Sequence, residues 1–183
     1  MRPDAMRHLC LAAVLALAAG CASTGSSSSP GSDSAAASHS AMSNKGQANL
    51  SLAQNYLAAG KIEYAVDRAN RALRSDPNSA DVQVVLGMIR QRLGEDERAG
   101  EHFARAVKLA PDSGHVLNMQ AIWLCQHDKA AEADALFVRA LKDPFYKARE
   151  TAYFNAGKCA RTVGQADKAA QYFGIKMVRV PLA

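Results

Sequence analysis

One spacing limits what this chain can fold into. Ala65, Ala99, Ala133 and Ala169 follow one another at 34, 34 and 36 residues. Twelve places before each stands a small residue, Ala53, Gly87, Ala121 or Gly157, and five before each stands Gly60, Gly94, Asp128 or Gly164. Four after come Ala69, Phe103, Phe137 and Phe173, and the units close near Pro77, Pro111, Pro144 and Pro181. A fixed period of this length marks stacked helix pairs, each too small to bury its apolar face alone. Two amphipathic helices cross closely only where side chains are small, and an aromatic ring fills the space beneath. A residue tolerant of left-handed backbone turns the chain, and proline cannot continue the second helix. The spacing predicts first (A) helices over 46–59, 80–93, 114–127 and 149–163. It predicts second (B) helices over 62–75, 96–109, 130–142 and 166–178, and no strand-like alternation competes with them.

The pattern resembles the tetratricopeptide repeat, four times over, with repeats at about 46–79, 80–113, 114–149 and 150–183. The resemblance implies an all-α, right-handed solenoid whose A helices line a concave face suited to extended or helical protein partners. In such repeats the second, fifth, ninth and twelfth A-helix positions face inward. The fifth and ninth give Leu50, Gln54, Val84, Met88, Asn118, Ile122, Phe154 and Lys158 as a candidate partner-binding groove. Leu50, Val84, Met88, Ile122 and Phe154 form its apolar strip, and Asn118 and Asn155 are candidates to pin a partner backbone. The competing reading is that some of these side chains pack between repeats. The Lys and Asn constellation of carboxylate-clamp repeats is absent, which speaks against chaperone C-terminal peptides as ligands.

The first 45 residues obey another logic. Arg2 and Arg7 precede an eleven-residue apolar run, Leu9 to Ala19, the layout of an export signal and far short of the roughly 20 residues that span a bilayer. Ala18, Ala19 and Gly20 then run straight into Cys21, which resembles a bacterial lipobox. The expectation is a signal peptide over 1–20 and a lipidated Cys21, the alternative being plain secretion with an incidental cysteine. Residues 22 to 44 hold ten Ser, no aromatic residue, no Leu, Ile or Val, and a single acid, Asp33. Nothing there offsets the entropy of ordering a chain, so 21–45 is expected to be a flexible tether. Ala22 stands where an inner-membrane retention signal would place Asp, so the resemblance points to the periplasmic face of the outer membrane.

Asn118 to Cys125, then Asp143-Pro144-Phe145-Tyr146, then Asn155-Ala156-Gly157 and Cys159, resemble the type IV pilus biogenesis and stability proteins. That resemblance implies a non-catalytic outer-membrane lipoprotein acting as a pilotin. Its partners would be the pilus secretin subunit and, through the lipid anchor, the membrane. The alternative is another periplasmic tetratricopeptide scaffold serving envelope assembly or cell-wall enzymes. Members of the family carry more repeats than the four found here. The last unit also departs from the pattern, with Lys176 where Ala72, Ala106 and Ala140 stand in the others.

Cys125 and Cys159 fall in adjacent A helices, and an oxidising periplasm permits a bridge. A structural disulfide is the favoured reading, against two buried thiols or a redox centre, for which the usual Cys-x-x-Cys is missing. His102, His115 and His127 lie on different helices without metal-ligand spacing and are expected at the surface. Trp123 is expected to pack between helices, and Asp128 to take a left-handed turn conformation in place of glycine. Beyond residue 21 the charge is 20 basic minus 16 acidic, or +4, too mild and scattered for nucleic acid. No cofactor, metal or small-molecule substrate is expected.

Overall fold

The computed structural model describes the backbone of residues 41–178 and the side chains of 41–174. The export signal, Cys21, the tether up to residue 40, the side chain of Lys176 and the residues beyond 178 fall outside that range. Among the described residues there are eight helices and no strand: α1 Asn44–Ala58, α2 Ile62–Ser75, α3 Ala80–Arg92, α4 Asp96–Leu109, α5 Gly114–Gln126, α6 Ala130–Ala140, α7 Arg149–Thr162 and α8 Ala166–Val178. They form four antiparallel hairpins, and the A helices (α1, α3, α5, α7) touch in series, α1 with α3, α3 with α5 and α5 with α7. None is long and apolar enough to cross a membrane.

The turn positions show why the period works. Gly60, Gly94 and Gly164 have φ of 71°, 72° and 75°, and Asp128 takes the same left-handed conformation at 60°. The short acidic side chain is among the few that tolerate it. At the crossings Ala53, Ala65, Ala99, Ala121 and Ala133 are wholly buried, and Phe103 and Phe137 fill the space below them. A Cβ added to Gly87 would lie 2.8 Å from the Phe103 ring, and one added to Gly157 2.5 Å from the Phe173 ring. The hairpins can close this tightly only because those side chains are absent.

Serines set the A-helix starts. Ser43, Ser79 and Ser113 each accept a hydrogen bond from the backbone N–H three residues on, a cap worth about 1 kcal/mol. Because Ser43 caps there, α1 begins at Asn44, inside the stretch expected to be tether. Two Asp-Pro dipeptides then latch hairpins shut. Asp76 accepts from Ser43 N and Oγ, both at 2.9 Å. Asp143 accepts from Gly114 N at 2.7 Å and from Phe145 N at 2.8 Å, and Arg149 donates to its carbonyl at 3.1 Å. In each case a carboxylate sits at the positive end of its own repeat's A helix. Tyr146 packs buried on Gly114 while Phe145 is 88% exposed. The Asp-Pro-Phe-Tyr insertion is therefore chiefly a structural clasp.

Two histidines depart from the surface expectation. His102 is half-buried, its Nδ1 2.8 Å from Oε1 of the buried Gln83. Partly buried His127 stacks on Trp123 with centroids 4.3 Å apart, while His115 is exposed. Burial holds the His102 imidazole below its ordinary value; the Arg90 charge adds to this and Glu101 opposes it.

Two tests follow from this packing. A Cβ on Gly114 would lie 2.6 Å from Tyr146 Cβ and 2.7 Å from the Ala140 carbonyl. In open helix Gly→Ala gains about 1 kcal/mol, but here Gly114→Ala is expected to lose about 1–3 kcal/mol by overpacking; an unchanged urea midpoint would refute the clasp. For His102, a folded pKa below the unfolded value of about 6.5 means that stability is complete above that pH. It is lost as pH falls, because the unfolded chain binds the proton first. Unfolding between pH 7.5 and 5 should therefore show a smaller loss in His102→Gln than in the parent.

Candidate protein-binding face

The A helices lie side by side, and the groove candidates separate by repeat position. At the fifth position Leu50, Val84 and Asn118 are 3%, 2% and 3% exposed. Leu50 packs with Val82, Val85, Leu86 and Ile89 of α3, and Val84 with Val116 of α5. Asn118 Oδ1 accepts from Asn155 Nδ2 of α7 at 3.3 Å. In each of these three repeats the next A helix covers the fifth position. The groove drawn through it is thus corrected: Leu50 and Val84 of the apolar strip and the pinning candidate Asn118 are inter-repeat core, and Asn118 is engaged by Asn155. Phe154, at the same position of α7, is 54% exposed and leans on Phe173 at 6.1 Å. Among the described residues no further A helix follows it.

The ninth position lies four residues on, about 40° further around the helix, and points outward. Gln54 and Lys158 are exposed there, and Met88 and Ile122 half-buried. Gln91 Nε2 donates to Gln126 Oε1 at 2.9 Å, an amide tie between α3 and α5. This outward surface carries the amides of Gln54, Gln91 and Gln126 and the Lys158 cation, with Met88 and Ile122 as its methyl-bearing centre.

Where α5 meets α7 the structure joins Cys125 and Cys159 in a disulfide, Cα atoms 5.9 Å apart. Thr162 donates its hydroxyl to the Cys159 carbonyl at 2.7 Å, and its Oγ1 lies 4.0 Å from Cys125 Sγ. Beside the bridge opens a hollow of about 230 Å³, lined by Ile122, Gln126, Asp128, Phe137, Asn155, Lys158, Thr162 and Val163 with the two cysteines. Sequence reasoning did not single out Thr162 or Val163, although both follow Cys159 within one helical turn. On the B side Asp134 of α6 accepts from Lys168 Nζ and Tyr172 Oη of α8, each at 2.6 Å. Burial, the hydrogen bond and the carboxylate's charge together hold the Tyr172 phenol protonated well above its ordinary range. Among the described residues no three His, Cys, Asp or Glu side chains gather as a metal set.

A model of the tetratricopeptide repeat matches residues 80–113, the second repeat. The chain is 28% identical over 126 residues to the type IV pilus assembly protein PilF of Pseudomonas aeruginosa, covering 69% of this chain and 50% of that one. A solved structure of P. aeruginosa PilF superposes with a TM-score of 0.69 at 26% identity, covering 73% of this chain and 60% of that one. The crystal structure of PilW, a widely conserved type IV pilus biogenesis factor, does so with a TM-score of 0.70 at 29% identity, covering 74% and 62%. The chain spans half the length of the curated relative and about three fifths of the two solved ones.

The bridge closes a span of 34 residues, for which the loop-entropy account gives about 3–4 kcal/mol. A Cys125→Ser/Cys159→Ser variant should lose about that much in urea unfolding while keeping its helical circular dichroism. Two alkylatable thiols in unreduced, denatured protein would overturn the assignment.

Proposed function

Because this chain is a tetratricopeptide-repeat protein homologous to the type IV pilus biogenesis proteins PilF and PilW, we propose that it is a non-catalytic adaptor in pilus assembly. In this reading it is a pilotin: it binds subunits of the pilus secretin through its A-helix face and promotes their localisation and multimer assembly at the outer membrane. Cys21 carries the lipid, and a Ser-rich tether lets the folded repeats reach about 27 Å from the inner leaflet. The observation that carries the reading is the joint sequence and structural similarity to two pilus biogenesis proteins, which covers 69–74% of the chain. The side-chain chemistry agrees with it. The outward A-helix positions offer amides, methyl groups and one cation, a surface suited to a polypeptide. The disulfide fits an oxidising compartment.

The experiment is deletion of the gene, followed by a denaturing gel for heat-resistant secretin multimers. Deletion should abolish the multimers, the wild-type gene should restore them, and Cys21→Ser should restore few while releasing the protein into the soluble periplasm. Multimers unaffected by the deletion would defeat the secretin reading. Cys21→Ser protein that still sediments with outer membranes and labels with palmitate would defeat the anchor.

A further inference from the structure

The hollow beside the disulfide has the make-up of a socket for one side chain. Ile122, Val163, the Phe137 ring and the Cys125–Cys159 bridge give it apolar walls, and Asn155 and Lys158 stand in its lining. At about 230 Å³ it falls below the roughly 300–1,000 Å³ of small-molecule sites, so it suits one aliphatic or phenyl group better than a cofactor. Its lining holds one cation, Lys158, and one carboxylate, Asp128 on the α5–α6 turn, and the two are not paired. Lys158 is exposed and, among the described residues, has no carboxylate within salt-bridge distance. Across the hollow α5 itself, GHVLNMQAIWLCQ, carries no acidic residue, and Asp128 just beyond its end lies outside salt-bridge distance of Lys158. The equivalent positions of the earlier A helices carry Gln54, Met88 and Ile122, so at this repeat position the cation occurs only on α7, at the hollow's edge. Asn155 spends its amide N–H on Asn118, and its carbonyl remains able to accept a backbone N–H.

We propose that this hollow is the anchoring subsite of the binding face. It takes one branched aliphatic or phenyl side chain of a partner polypeptide, and a carboxylate of the same segment pairs with Lys158. The inference rests on reading the A-helix face as a protein-binding surface. A single well-filled apolar pocket dominates interfaces of this kind, and a rim charge contributes selectivity and encounter rate more than affinity. The partner motif is thus an apolar residue with an acidic neighbour.

The test uses two small probes, N-acetyl-leucine, which carries a carboxylate, and the neutral N-acetyl-leucine amide. Each is titrated at millimolar concentration into the uniformly ¹⁵N-labelled folded protein. Saturable shifts are expected at Ile122, Gln126, Asn155, Lys158 and Thr162, with the acid binding about two- to fivefold more tightly than the amide, the size of an exposed ion pair. Lys158→Gln should erase that difference and keep the amide's affinity. Val163→Trp, at an exposed position on the rim, should fill the hollow and abolish both titrations in a spectrum that is otherwise dispersed. Shifts scattered over the surface, or equal affinity for acid and amide in the parent, would overturn the proposal. The same variants in the secretin-multimer assay separate the two readings. Probes that enter the hollow while Val163→Trp leaves multimers intact uphold the socket and remove secretin as its occupant. Multimers lost on gene deletion with no probe entering uphold the secretin reading and remove the socket.

Discussion

The close crossing of the two helices in each hairpin is the constraint on which the rest of the fold depends. Where Ala53, Ala65, Ala99, Ala121 and Ala133 meet, the side chains are small enough for the helix surfaces to touch, and every one of them is wholly buried. Alanine buries little apolar area, so the crossing itself supplies only part of the hydrophobic term. The larger part comes from what the crossing permits: Phe103 and Phe137 slide beneath it, and branched side chains such as Val82, Val85 and Ile89 meet the preceding repeat. Among the described residues no helix contacts anything beyond its own hairpin and the adjacent repeats. Stability is therefore close to a sum over repeats and their interfaces, and each interface must stand on its own chemistry.

The interfaces differ in how they meet that demand. Between repeats one and two the joint is largely aliphatic, Leu50 against Val82, Val85, Leu86 and Ile89. Between two and three, polar ties join it: Gln91 to Gln126, and Arg139 to the Pro111 carbonyl at 2.7 Å. Trp123 also packs so tightly on Gly100 that a Cβ there would lie 2.5 Å from the ring. Between three and four the joint is covalent and polar, with the disulfide, the Asn118–Asn155 bond and the Asp134 clamp on Lys168 and Tyr172. Among the described residues repeat four touches only one neighbour. A unit with one interface opens more readily than one with two, and the cross-links are concentrated where that opening would begin.

Much of this was legible in the sequence because the period is written in residues whose roles are local. Glycine at a left-handed turn, small side chains at a crossing and proline after a helix act within a few residues of themselves, so the eight helices and the Asp128 turn follow from spacing alone. The fifth A-helix position shows where such reasoning stops. Leu50, Val84, Asn118 and Phe154 share a repeat position, yet three are core and one is exposed, because the next helix decides and it is remote in sequence. Chemistry at that position gives no warning: Asn118 is polar and buried, Phe154 aromatic and exposed. His102 was illegible for a similar reason, since only the structure brings the buried Gln83 within 2.8 Å of it. The Asp-Pro dipeptides could be read as helix terminators, but their carboxylates reach back to Ser43 and Gly114, 33 and 29 residues earlier.

The position of the disulfide ties the mechanics of the last joint to recognition. A bridge needed only for stability could span any two adjacent helices, and the B helices α6 and α8 are already joined by the Asp134 clamp. Cys125 and Cys159 instead fasten the A helices on the face proposed to meet a partner, and they form part of the wall of an apolar hollow there. A hollow between two separate helices widens or closes as the joint flexes, and a ligand must then meet the cost of holding it in one shape. Fixing α5 to α7 covalently meets that cost during folding, so more of the contact energy appears as affinity. With so few fixed charges on the face, shape rather than electrostatic steering has to discriminate between partners. Shape discriminates only if the walls keep their spacing, which is what a bridge between A helices holds constant.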